Sequence, residues 1–141
     1  MSDSSFAYTD ERFADLQMLR YRLAGFSNLS LSQKKYVFFL SKATLVGRDI
    51  TTDQFGEFNL LIRKTLEAVY TDEAVDRTTA DFKGMEVYLK RVWFSNGIHH
   101  HYGCEKFVPE FSEAWFRKVV AALPRDVWER VGYTSADALL A

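Results

Sequence analysis

Too little cysteine, proline, glycine and surplus charge closes several functional classes to this chain. A single cysteine, Cys104, cannot close a disulfide within the chain, and it makes a cysteine-built zinc cluster implausible. One unpaired thiol agrees with a reducing compartment. Two prolines and seven glycines among 141 residues are too few for a disordered or low-complexity polymer. Eighteen basic residues against nineteen acidic leave a net charge of -1, so there is no positive surplus to neutralise phosphates and nucleic acid is not expected as a partner. No apolar run approaches the length that spans a bilayer. The opening, Met1 to Arg12, is polar and acidic and lacks the apolar stretch and cleavage site of a secretory signal. These absences predict a cytoplasmic protein with no membrane partner.

Apolar and aromatic residues are plentiful. Hydrophobic residues make up 48% of the chain, and 12 Phe, 7 Tyr and 3 Trp supply the bulk of a packed interior. Residues 1–12 read as a flexible start. Residues 13–23 fit either a helix, through Phe13, Leu16 and Leu19, or one face of a strand, through Gln17, Leu19, Tyr21 and Leu23. Ser30 and Gln33 have capping-box spacing, and Tyr36, Phe39, Leu40, Ala43 and Val46 follow at helical spacing up to Gly47. Thr51 and Gln54 repeat that box and open a second expected helix, with Phe55, Phe58, Leu61, Ile62, Leu66 and Val69 as its core stripe. Asp81 is placed to cap a third helix bearing Phe82, Met85, Leu89, Val92 and Trp93, broken at Ser95-Asn96-Gly97. Ser112 opens a fourth, which Pro124 ends; a short helix then runs through Val131 and another from Ser135 to Ala141. A finish in an apolar helical run predicts a truncated chain. Lys34-Lys35 and Lys90-Arg91 read as solvated faces, and Glu86 with Lys90 as a surface pair.

One stretch carries the candidate chemistry. All three histidines, His99, His100 and His101, follow a helix break and lie between Gly97 and Gly103, in a segment expected to be irregular or extended. Adjacent imidazoles do not converge on a helix; in an extended strand His99 and His101 share a face while His100 points away. No carboxylate or thiol is spaced to complete a zinc cage with them, so no metal ligand is assigned. Cys104, close to Lys106 and the histidines, reads as a buried or inert thiol more readily than as an activated one. No Ser-His-Asp set and no catalytic carboxylate pair stands out.

Several blocks resemble the early part of bacterial dipeptidyl peptidase III. They are Phe13-Ala14-Asp15-Leu16-Gln17-Met18-Leu19-Arg20-Tyr21, Leu31-Ser32-Gln33-Lys34-Lys35, Gly47-Arg48-Asp49-Ile50 and Ile62-Arg63-Lys64-Thr65-Leu66-Glu67. The longest are Val87-Tyr88-Leu89-Lys90-Arg91-Val92-Trp93-Phe94-Ser95-Asn96-Gly97-Ile98-His99-His100-His101-Tyr102 and Lys106-Phe107-Val108-Pro109. The likeness covers residues 13–123. Members of that family are zinc exopeptidases that release dipeptides from the amino end of oligopeptides, with the peptide lying as an added strand across a cleft between two lobes. The resemblance therefore implies a mainly α fold, the N-terminal helical segment (13–141) of a two-lobed metallopeptidase, with one or two short strands near 15–23 and 100–108. It implies that His101, Tyr102 and Gly103 contact the peptide. The family's zinc sits on a His-Glu-x-x-Gly-His type motif, in which metal-bound water attacks the carbonyl. No His-Glu pair occurs here, so zinc and its ligands belong to the parent enzyme outside this chain, and the remaining lobe of the same polypeptide is the implied partner. Two other readings stand beside this one: a free-standing helical binding module, and a metal-binding protein built on the three histidines.

Overall fold

The computed structural model describes residues 6–133, 135, 137 and 138. These fall in two compact units, residues 1–48 and 49–141. The protein is mainly helical with one two-stranded antiparallel sheet.

In the N-terminal unit, β1 (Thr9–Phe13) and β2 (Leu16–Leu19) form a hairpin with Phe13 opposite Leu16 and Thr9 opposite Leu19. A strand, not a helix, is thus the form residues 16–19 take. Residues 9–12, within the start expected to be free, are paired in β1. The two-residue turn puts Ala14 at φ 50°. Between Thr9 and Arg12 the register shifts. Such a bulge leaves backbone groups off the ladder, and Gln17 takes them up: its Nε2 donates to Asp10 O at 3.0 Å and Glu11 O at 3.3 Å. A 3-10 turn (Ala24–Asn28) leads into α1 (Leu31–Val46), which starts at the expected capping box. Gln33 N donates to Ser30 Oγ at 3.3 Å and Ser30 N to Gln33 Oε1 at 2.9 Å. Lys34 is only partly solvated, since its Nζ donates to Ser27 O at 3.0 Å. No residue of α1 is buried, and Tyr36, Phe38 and Phe39 are all more than half exposed.

The C-terminal unit carries α2 (Arg48–Gln54), α3 (Asn59–Thr71), α4 (Ala80–Ser95), α5 (Glu113–Ala122) and α6 (Arg125–Val131). Its core joins Leu66 and Val69 of α3 to Phe82, Met85, Leu89 and Val92 of α4, with Val120, Leu123 and Trp128 closing it. The α4 residues recur at three- and four-residue steps, which is why one face of that helix is continuously buried. Each such side chain stabilises the fold by about 1.5–3 kcal/mol relative to an exposed one.

Two helix starts differ from expectation. Thr51 lies inside α2 and opens no helix; the chain instead breaks at Gly56, and α3 begins at Asn59. That break takes Phe55 and Phe58 off the α3 stripe, and they are 63% and 58% exposed instead of core. For α4 the cap is Thr79, whose Oγ1 accepts from Phe82 N at 3.1 Å. Asp81 is freed for a tertiary bond, accepting from Ser112 N at 2.7 Å. Ser112 does cap α5, and Pro124 precedes α6, which ends at Gly132 in the left-handed region (φ 90°). The helix expected from Ser135 lies partly outside the described residues; Ala138 N donates to Ser135 Oγ at 3.2 Å. Glu86 and Lys90 pair at 2.8 Å. Lys90 and Arg91 are not a solvated face: both are partly buried, and the Arg91 guanidinium lies 5.2 Å from the Phe107 ring centre. Among the described residues no helix is long and apolar enough to cross a membrane.

Candidate functional site

The histidine segment is a small hairpin hung from the end of α4. Asn96 adopts the left-handed conformation (φ 55°), which stops the helix, and Gly97 follows. The arms then pair: Phe107 N donates to Ile98 O at 2.8 Å and His100 N to Glu105 O at 2.9 Å. His99 and Lys106 form a single antiparallel bridge, so the strand expected over 100–108 is reduced to one bridge at its base. Beyond it the chain turns, and Gly103 N donates to His100 O at 3.2 Å.

A residue absent from the sequence reading fixes where this hairpin leaves the helix. Asn59, on the first turn of α3, is 3% exposed, and its Oδ1 accepts from Ile98 N at 3.2 Å. A Cβ on Gly97 would stand 2.3 Å from Asn59 Nδ2 and one on Gly56 2.9 Å from it. Both glycines are needed for this approach, since no side chain fits between them and the amide. Asn at the start of an apolar helical stripe signals a cap. The structure uses that side chain across 39 residues of sequence instead.

The three imidazoles end in different settings. His99 is exposed at the bridge, while His100 and His101 are partly buried. The rings that lie together are His100 and His101, 4.4 Å between centres, and not His99 and His101. The turn beginning at His101 ends the alternation that an extended strand would impose. His100 Nδ1 accepts from Tyr102 N at 3.2 Å, so the proton of the neutral ring sits on Nε2. His101 is held between the His100 ring, the Tyr102 ring at 4.2 Å and the edge of Phe94 at 4.8 Å. Its Nδ1 is buried and has no hydrogen-bond partner among the described residues.

His101, Tyr102 and Gly103 are thus brought together at one tip, each in a different state. Tyr102 is 91% exposed. The N–H groups of Tyr102 and Gly103 are both engaged inside the hairpin, so this tip offers a ligand the Tyr102 phenol and the aromatic stack around His101 more than free backbone donors. Cys104 is exposed, so of the buried or inert thiol expected, the buried setting is the one the structure overturns.

Of the ring nitrogens, His100 Nδ1 is engaged by Tyr102 N–H and His101 Nδ1 is buried. Among the described residues no group of three or more His, Cys, Asp or Glu is arranged to hold a metal ion.

A buried polar network centred on α3 was also missed in the sequence. Arg63 is 2% exposed; it pairs with Asp49, donates Nη1 to Thr52 Oγ1 at 2.8 Å and approaches Glu67 Oε1 with Nε at 3.4 Å. Glu67 Oε1 also accepts from Trp93 Nε1 at 2.7 Å, which ties α3 to α4. Desolvation alone would raise the Asp49 carboxyl, but the Arg63 hydrogen bond and charge, with Lys64 behind, outweigh it and hold the carboxyl below its usual range. No family model matches the chain, and no curated protein is found similar to it.

Proposed function

We propose that this chain is the N-terminal part of a zinc-dependent dipeptidyl peptidase of the dipeptidyl peptidase III type. In this reading it lines the peptide cleft and supplies no zinc ligand. The observation that carries the reading is the hairpin tip. Tyr102 stands out in solvent next to the packed His101 ring, with Gly103 following in the same turn. An amphipathic phenol beside an aromatic stack suits a peptide of varied sequence, because ring faces and one hydroxyl do not discriminate strongly between side chains. The apolar surface that α1 leaves uncovered supports the second half of the proposal: the remaining lobe of the same polypeptide has a face on which to dock.

The division of labour follows from the donors present. Binding and orientation of the peptide fall to this segment, while metal-bound water and proton transfer belong to the parent enzyme's own motif. The isolated chain, chelated and then given zinc, is expected to release no dipeptide from a chromogenic dipeptidyl arylamide. In the parent enzyme, His101→Ala and Tyr102→Ala are expected to raise KM by about tenfold with little change in kcat, the pattern of lost uniform binding. A steep fall in kcat at unchanged KM, or turnover by the isolated chain, would overthrow the assignment.

A further inference from the structure

A second site lies away from the hairpin tip, where α3, the end of the hairpin and the start of α5 enclose a cleft of about 620 Å³. That volume is in the range of small-ligand sites. Its walls are apolar and largely aromatic, with Phe58, Ile62, Phe111 and Phe116 among them.

The polar groups on the cleft sort into those bonded within the protein and those open to solvent. Thr65 Oγ1 donates to Leu61 O at 2.9 Å, and Glu113 is held by Arg117 Nε at 2.7 Å. Tyr88 and Lys106 differ. Tyr88 is 7% exposed and packs edge-to-face on Phe111; among the described residues its hydroxyl makes no hydrogen bond, yet it is not one of the fully buried unsatisfied atoms, so it opens onto the cleft it lines. Burial also raises its pKa, so it remains an O–H donor at neutral pH. Among the described residues the Lys106 ammonium makes no ion pair. One neutral donor and one cation, both on an apolar cleft, call for a ligand group that accepts twice and carries one negative charge. A carboxylate does both.

We propose that this cleft binds a small apolar monocarboxylate, such as an arylalkanoic acid. Its hydrocarbon part lies among Phe58, Ile62, Phe111 and Phe116, and its carboxylate is taken by the Tyr88 hydroxyl and the Lys106 ammonium. The site stands independently of the peptidase reading.

The test is a calorimetric and ligand-observed NMR titration of the purified chain with 4-phenylbutyrate and, in parallel, 4-phenylbutanamide. Saturable binding of the acid in the millimolar range or tighter is expected, about fivefold tighter than the amide, since an exposed cation contributes modestly. Tyr88→Phe and Lys106→Met should each abolish most of that preference while leaving the melting curve close to that of the parent chain. Ile62→Trp, which fills the cleft, should remove binding of both ligands. The proposal fails if the acid does not saturate, if acid and amide bind equally, or if Tyr88→Phe leaves the preference intact.

Discussion

Gly84 sits in the middle of α4, and replacing it with alanine sets two physical effects against each other. Helix propensity alone favours the change by about 1 kcal/mol, because alanine loses less backbone freedom than glycine. Tertiary packing opposes it. A Cβ at position 84 would stand 2.3 Å from the Glu110 carbonyl oxygen and 2.8 Å from its carbon. Relief needs the Glu110 backbone to retreat by roughly 1 Å to reach an ordinary contact. That segment is poorly placed to move. Pro109 restricts its φ, Phe111 packs on Tyr88 and Phe116, and Ser112 N is bonded to Asp81 at 2.7 Å, one turn earlier on the same helix. Overpacking of this kind costs about 1–3 kcal/mol, and weakening the Asp81–Ser112 bond adds about 1 kcal/mol. After subtracting the propensity gain, Gly84→Ala is expected to destabilise the C-terminal unit by about 1–3 kcal/mol. Urea unfolding followed by tryptophan fluorescence reads this directly, since Trp93, Trp115 and Trp128 all belong to that unit. The midpoint should fall by about 1 M for a slope typical of a small protein. Lys83→Ala, at an exposed neighbour, serves as the control and should shift it little. An unchanged or raised midpoint for Gly84→Ala would show that the close approach to Glu110 does not govern this position.

Asn59→Ala removes the acceptor for Ile98 N and should loosen the hairpin exit at a cost of about 1–2 kcal/mol; amide exchange at His100 and Phe107 should speed up about tenfold or more, and unaltered protection would refute the anchoring role. Asp49 has its carboxyl held low by Arg63 against desolvation, so its contribution is fully present above the unfolded value near about pH 4 and fades as pH falls through the lower folded value. Its side chain is 48% exposed, and solvent screening limits that contribution to under about 1 kcal/mol. Asp49→Asn should therefore flatten the acid limb of the stability curve between about pH 5 and about pH 2; an acid limb as steep as the parent's would discard the argument.

Local chemistry was legible wherever neighbours in sequence settle it. The Ser30–Gln33 box, the Ser112 cap, the break at Asn96-Gly97 and the buried spacing of Phe82, Met85, Leu89 and Val92 all depend on residues within one or two turns, and each is found as expected. The mainly helical class follows from the same short-range rules, while those rules left residues 13–23 open between helix and strand. Contacts across the chain were not legible. Thr51–Gln54 has the same spacing as Ser30–Gln33, yet it falls inside α2, because Gly56 and its fit against Asn59 decide where α3 begins. Arg63 drew no reading of its own from the sequence; only folding places Asp49 and Thr52 beside it, with Glu67 one turn on. His101 and Tyr102 were singled out by the family resemblance. Their ring packing with His100 and Phe94, and the loss of their neighbouring N–H groups to the hairpin, depend on the turn geometry. A helix cap or an apolar period is a short-range bargain between adjacent residues. The fit of Gly84 under Glu110, the clamp of Asn59 on Ile98 and the cleft onto which Tyr88 opens depend on groups far apart in sequence, which only packing brings together.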